Sequence, residues 1–94
     1  MTYSVYMVRC ADATLYTGIA RDVDRRLAEH NGLTPGGKPS AARTGAAYTA
    51  ARRPVELVYV VQASTRSDAQ KEEARLKRLT RAEKLKLIGE AQQP

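Results

Sequence analysis

VYMVRCADATLYTG, Val5 to Gly18, reads as two β-like runs around a short polar turn, with one tyrosine in each run and a glycine directly after the second. Tyr3–Arg9 and Thr14–Ile19 are rich in β-branched and aromatic residues, and Ala11, Asp12 and Ala13 between them suit a turn, so an antiparallel hairpin is expected. In such a pair, opposite residues share a face and diagonal neighbours stay within side-chain reach. With the turn centred on Asp12, Tyr6 stands opposite Gly18 and Tyr16 opposite Val8. Both phenols then rise from one face, and Gly18 leaves room beside Tyr6 for a substrate. A register shifted by one residue separates them, and spacing alone fixes neither the register nor whether the rings pack or react.

Outward from the hairpin, Asp22 can cap a helix running through Val23, Arg26, Leu27 and His30, with Gly32 as its left-handed terminus. Glycines and prolines then punctuate the chain, and a mobile loop is expected at about 32–47. Val55–Val61, following Pro54, is the most apolar stretch and is expected to be a central strand covered on both faces. Ser67-Asp68-Ala69-Gln70 and Thr80-Arg81-Ala82-Glu83 fit capping boxes, which predict helices over about Asp68–Leu79 and Arg81–Ala91. The expected fold is α+β (mixed α/β), a small three-stranded sheet flanked by helices in the order β-β-α-β-α-α, as a single domain over 1–94.

Sixteen Lys and Arg against ten Asp and Glu give a net charge of +6, which suits a polyanion-binding domain. No carboxylate lies between Glu29 and Glu56, whereas Lys38, Arg43, Arg52 and Arg53 do, so that stretch can follow a phosphate backbone or be a solvated basic loop. The longest apolar run, Leu57–Val61, is far short of the roughly twenty residues a spanning helix needs. The N-terminus lacks the pattern of an export signal. Cys10 is the only cysteine, which excludes an intrachain disulfide and a cysteine-based zinc framework and makes the cytoplasm the expected compartment.

Arg26 and His30 are four apart and therefore lie on one face of their helix, beside the apolar stripe of Val23 and Leu27. A guanidinium and an imidazole near two phenols can bind phosphate and handle protons; a histidine at a helix end can equally serve only the helix dipole. Glu72 and Glu73 both occur on the following helix, where Ala69, Leu76 and Leu79 mark the apolar face, and periodicity does not choose between them.

Val5-Tyr6-Met7, Tyr16-Thr17-Gly18, Arg26 and His30-Asn31 together resemble the GIY-YIG nuclease domain, from Tyr3 to about Leu87. More narrowly, Tyr48-Thr49 and Arg52-Arg53-Pro54-Val55-Glu56-Leu57 resemble the small stand-alone bacterial members, and the RRLAEHN stretch is similar to the nuclease subunit of eukaryotic structure-specific endonucleases. The first triplet keeps only its tyrosine, Thr17 replaces the middle isoleucine, and no asparagine follows Asn31, so the family's late asparagine has no counterpart. The family's glutamate, four residues before a lysine, corresponds to Glu73 with Lys77.

The resemblance implies a metal-dependent DNA endonuclease, structure-selective or weakly specific, acting in DNA repair, recombination or processing. Tyr6, Tyr16, Arg26, His30 and Glu73 would form the catalytic set. Glu73 would hold one Mg²⁺ or Mn²⁺, His30 and Arg26 would supply positive charge to Tyr6, and Lys38, Arg43, Arg52, Arg53 and Lys77 would meet the nucleic acid. Branched or nicked DNA, a protein partner or a homodimer would compensate for the lack of an obvious specificity module. The alternative is a catalytically inactive nucleic-acid-binding module of the same fold.

Overall fold

Tyr3–Arg9 (β1) is the middle strand of a three-stranded sheet, flanked by Leu15–Ala20 (β2) and Glu56–Ala63 (β3), and five consecutive residues of it, Ser4 to Val8, are buried. A computed structural model describes residues 2–34, 37–38 and 47–91. Leu15–Ala20 (β2) pairs antiparallel with β1 in the register expected from a turn at Asp12: Tyr6 faces Gly18 and Val8 faces Tyr16. The turn is held by Asp12, whose carboxylate accepts from the Thr14 amide at 3.1 Å and the Thr14 hydroxyl at 2.6 Å, while Ala13 takes the left-handed conformation at φ 68°.

Val23–His30 (α1) begins where its cap residue predicts, with the Asp22 carboxylate accepting from the Arg25 amide at 3.0 Å, and Gly32 takes the left-handed conformation at φ 71° after it. Ala47–Ala50 (α2), one short helical turn that the sequence reading does not foresee, precedes Glu56–Ala63 (β3). Asn31 ties α1 to the entry of β3: its side chain accepts from the Val55 amide at 2.7 Å and donates to the Val55 carbonyl at 2.9 Å. Arg66–Arg78 (α3) and Arg81–Ala91 (α4) complete the chain. The architecture is the expected α+β fold, an antiparallel sheet flanked by helices, with α2 as an addition.

The faces of the sheet divide the core. Val5, Met7 and Val58 pack with Ala69 and Leu76 of α3 and Ile88 of α4. Tyr6, Val8 and Cys10 alternate onto the other face, where Val23 and Leu27 of α1 cover them. That alternation places the Tyr6 phenol under α1.

Two expectations are corrected. The apolar stretch ending at Val61 is an edge strand, not a central one, and Val60 is 41% exposed. The pairing slips between Met7, opposite Tyr59, and Val8, opposite Leu57, leaving Val58 without a partner. This irregularity turns Val58 and Tyr59 together toward the α3–α4 core while Leu57 packs under α1, so a continuous apolar run arises without burial on both sides. The α3 cap is Thr65, whose hydroxyl accepts from the Asp68 amide at 3.1 Å; the helix therefore starts before Ser67. At α4 the expected box is present, with the Thr80 amide donating to Glu83 at 2.9 Å and the Glu83 amide to the Thr80 hydroxyl at 3.2 Å. The loop expected at about 32–47 falls largely outside the described residues.

Candidate active site

Tyr6 and His30 meet between β1 and the last turn of α1. The phenol oxygen lies 2.7 Å from His30 Nε2, and His30 Nδ1 lies 2.7 Å from the hydroxyl of Thr49 on α2. Tyr6 is 2% exposed, and His30 and Thr49 are fully buried. Arg26, one turn before His30, acts electrostatically on the phenol, and its guanidinium pairs with Glu29 at 3.3 Å. Either neutral tautomer of His30 satisfies both of its contacts: the phenol donates to Nε2 while Nδ1–H donates to Thr49, or Nε2–H donates to the phenol while the Thr49 hydroxyl donates to Nδ1.

Burial dominates the electrostatics. It raises the Tyr6 pKa above the usual phenol value, opposed by Arg26 and reinforced by the charges of Tyr16 and Glu73. Burial, together with the charge of Arg26 and, more weakly, Arg53, lowers His30 to about 4, with Glu29 acting in the opposite sense. The expectation that His30 brings positive charge is therefore corrected. At neutral pH it is uncharged, and Arg26 is the cation that acts on the phenol.

This has a measurable consequence for stability. An unfolded histidine titrates near 6.5 and the folded one near 4, so the unfolded chain binds the extra proton between these values. The contribution is complete above the upper value and is lost as the pH falls toward the lower one. Between neutrality and pH ~5 it amounts to a loss on the order of 2 kcal/mol. The melting temperature should drop more steeply with acidification in the parent protein than in His30→Gln; parallel melting curves would contradict the neutral imidazole.

Tyr16 packs its ring against His30 edge to face, with centroids 5.4 Å apart, and stacks on Tyr48 at 5.7 Å. The Arg52 guanidinium lies over the Tyr48 ring, 3.9 Å from its centroid, and pairs with Asp12 at 3.0 Å. Tyr48 and Thr49 entered the sequence reading only as motif matches; their contacts with Tyr16 and His30 depend on α2, whose four residues give no periodic signal.

Gly18 is close to Tyr6, but not as a substrate space. A Cβ there would lie 2.6 Å from the Tyr6 hydroxyl, so the phenol itself fills the gap. Glu73 approaches from α3, its side chain 26% exposed, pairs with Lys77 at 3.5 Å and acts electrostatically on Tyr6. Glu72 points elsewhere: it accepts from Arg75 at 2.6 Å and acts on Tyr59.

Tyr6, Tyr16, Arg26 and His30 are thus grouped, with Glu73 within electrostatic reach. The basic residues diverge. Arg53 donates to the His30 carbonyl at 2.6 Å and the Glu29 carbonyl at 3.4 Å, closing the end of α1, and Arg52 is engaged with Tyr48 and Asp12. Lys38 is exposed beyond α1, Lys77 is exposed on α3, and Arg43 lies outside the described residues. Among the described residues no group of three or more His, Cys, Asp or Glu could hold a metal ion. A lone carboxylate such as Glu73 would suit only a hard cation that keeps its waters and takes few protein ligands.

Two phenols and an imidazole are grouped on a small antiparallel sheet, with Arg26 and Glu73 acting electrostatically on Tyr6. The GIY-YIG catalytic domain model matches residues 2–86, and the chain belongs to that family. It is 49% identical over 86 residues to a UPF0213 protein of Staphylococcus epidermidis, covering 92% of this chain and 93% of the relative. A UPF0213 protein of Staphylococcus aureus is 44% identical over 89 residues, covering 95% and 96%. The solution NMR structure of a UPF0213 protein from Bacillus halodurans superposes with a TM-score of 0.55 at 30% identity, covering 95% of this chain and 84% of that one. No described helix is long and apolar enough to cross a membrane.

Proposed function

We propose that this domain is a metal-dependent DNA endonuclease that hydrolyses phosphodiester bonds with little sequence preference, acting on nicked or branched DNA during repair, recombination or processing. The observation that carries the reading is the buried Tyr6–His30 hydrogen bond of 2.7 Å, with the Arg26 charge acting on the same phenol. A packing tyrosine needs one polar partner; this one has a buried imidazole and a cation acting on it. The family match and the net charge of +6 support it.

In the proposed reaction a water oxygen forms the new bond to phosphorus as the bond to the leaving oxygen breaks. Tyr6 takes the water's proton while its own passes to His30 Nε2, and Arg26 steadies the phenol oxygen as negative charge develops there. In the tautomer this reaction uses, Nδ1–H donates to Thr49 and Nε2 receives the proton. Tyr16, fixed between His30 and Tyr48, positions the phosphate or the water. Glu73 would hold one Mg²⁺ or Mn²⁺, which when bound supplies positive charge for the leaving oxygen.

Tyr6→Phe keeps the ring and removes the hydroxyl. Cleavage of a nicked duplex in Mg²⁺ or Mn²⁺ should fall about 10²-fold or more, while DNA binding and the circular dichroism spectrum stay unchanged. Cutting at the parental rate would remove the hydroxyl from the mechanism.

A further inference from the structure

Glu73 lines a cleft of about 360 Å³ together with Tyr3, Arg21, Arg66 and Gln70. Arg21 directly follows β2, and its guanidinium lies over the Tyr3 ring, 5.2 Å from the centroid, while Nη2 donates to the Tyr3 hydroxyl at 3.0 Å. These contacts fix the plane of the fork and use one of its five N–H donors. Arg66 opens α3, and both arginines are exposed. Arg9, Arg26, Arg52, Arg75 and Lys77 each have a carboxylate partner, but among the described residues neither Arg21 nor Arg66 does.

The cleft therefore offers two guanidiniums without counter-ions and a single carboxylate, Glu73, which Lys77 already partners. Planar forks with donors to spare match the oxygens of a phosphodiester. Glu73 is common to both places: it lines this cleft and acts electrostatically on the Tyr6 phenol.

We infer that Arg21 and Arg66 form a subsite for a backbone phosphate of the bound DNA strand, neighbouring the phosphate presented to Tyr6. It rests on the reading of Tyr6 and Glu73 as the cutting site and adds what sets the lie of the strand across them. Tyr3 acts as a positioning residue by orienting Arg21.

The test is binding of a fluorescently labelled nicked duplex, measured by anisotropy without divalent ions over a salt series. Arg21→Gln with Arg66→Gln should bind at least about tenfold more weakly at low salt. Its slope of log affinity against log salt should be shallower by about 0.9 for each phosphate contact removed. Arg81→Gln with Lys86→Gln on α4 removes the same charge at a distance from the cleft and should leave the slope as it is. Equal slopes for the two double variants, or no binding by the parent protein, would overturn the subsite. Cleavage by the parent in Mg²⁺ or Mn²⁺ is scored separately. A protein that binds with the arginine-dependent slope yet never cuts keeps the subsite and rejects the nuclease reading, whereas one that cuts with equal slopes rejects the subsite alone.

Discussion

Glu73→Gln is expected to reduce cleavage of nicked or branched DNA by at least about 10³-fold, the loss that follows when several kcal/mol of metal-derived stabilisation disappear. The substitution keeps the length and shape of the side chain and removes only its charge. Among the described residues Glu73 makes one ion pair, with Lys77 at 3.5 Å on the same helix, and such pairs at a helix surface are worth only a few tenths of a kcal/mol. The melting temperature should therefore hardly move. Glu72→Gln is the matched control. That carboxylate is adjacent in sequence and similarly half-buried, but it is engaged with Arg75 and acts on Tyr59 rather than Tyr6, so cleavage should persist. If the two variants cut equally well, Glu73 has no part in the chemistry. If the parent protein binds DNA and never cuts, the domain is a binding module instead.

The contrast between these glutamates indicates what a sequence can carry. A helical wheel places Glu72 and Glu73 at similar distances from the apolar stripe of α3, and only the strands beneath separate them: Tyr59 of β3 under one, the β2 edge under the other. The hairpin register was legible because a local turn, closed by Asp12 on Thr14, determines it, and the limits of α1 were legible because Asp22 and Gly32 act on their own neighbours. Non-local features were not. Val58 drops out of register only in the presence of β1, and no feature of Leu57–Val61 announces it. The charge of His30 is likewise a property of its surroundings, since burial between β1 and α2, with the charges of Arg26 and Arg53, favours the neutral ring. Family resemblance selected Glu73 and marked Tyr48 and Thr49, but the contacts made by those two are supplied by α2.

Gly18→Ala is expected to disable the site without touching any group that reacts. Gly18 faces Tyr6 across the hairpin, and an added Cβ would lie 2.6 Å from the phenol oxygen and 2.8 Å from Cζ. These separations are below any real contact, so one partner must move. A surface tyrosine would swing aside at little cost, but Tyr6 is 2% exposed and bonded to a fully buried His30, and close-packed surroundings give its ring nowhere to go. Overpacking of this kind typically costs about 1–3 kcal/mol. The displaced hydroxyl would also lose His30, leaving Nε2 buried without a partner. The methyl group should thus lower the melting temperature and suppress cleavage at least as strongly as Tyr6→Phe. The double variant Gly18→Ala with Tyr6→Phe separates the two effects: without the hydroxyl the closest clash disappears, so part of the lost stability should return while cleavage stays low. If Gly18→Ala alone melts and cuts like the parent protein, Tyr6 is not held where its hydroxyl meets His30, and the proton path from water through the phenol to the imidazole has no starting geometry.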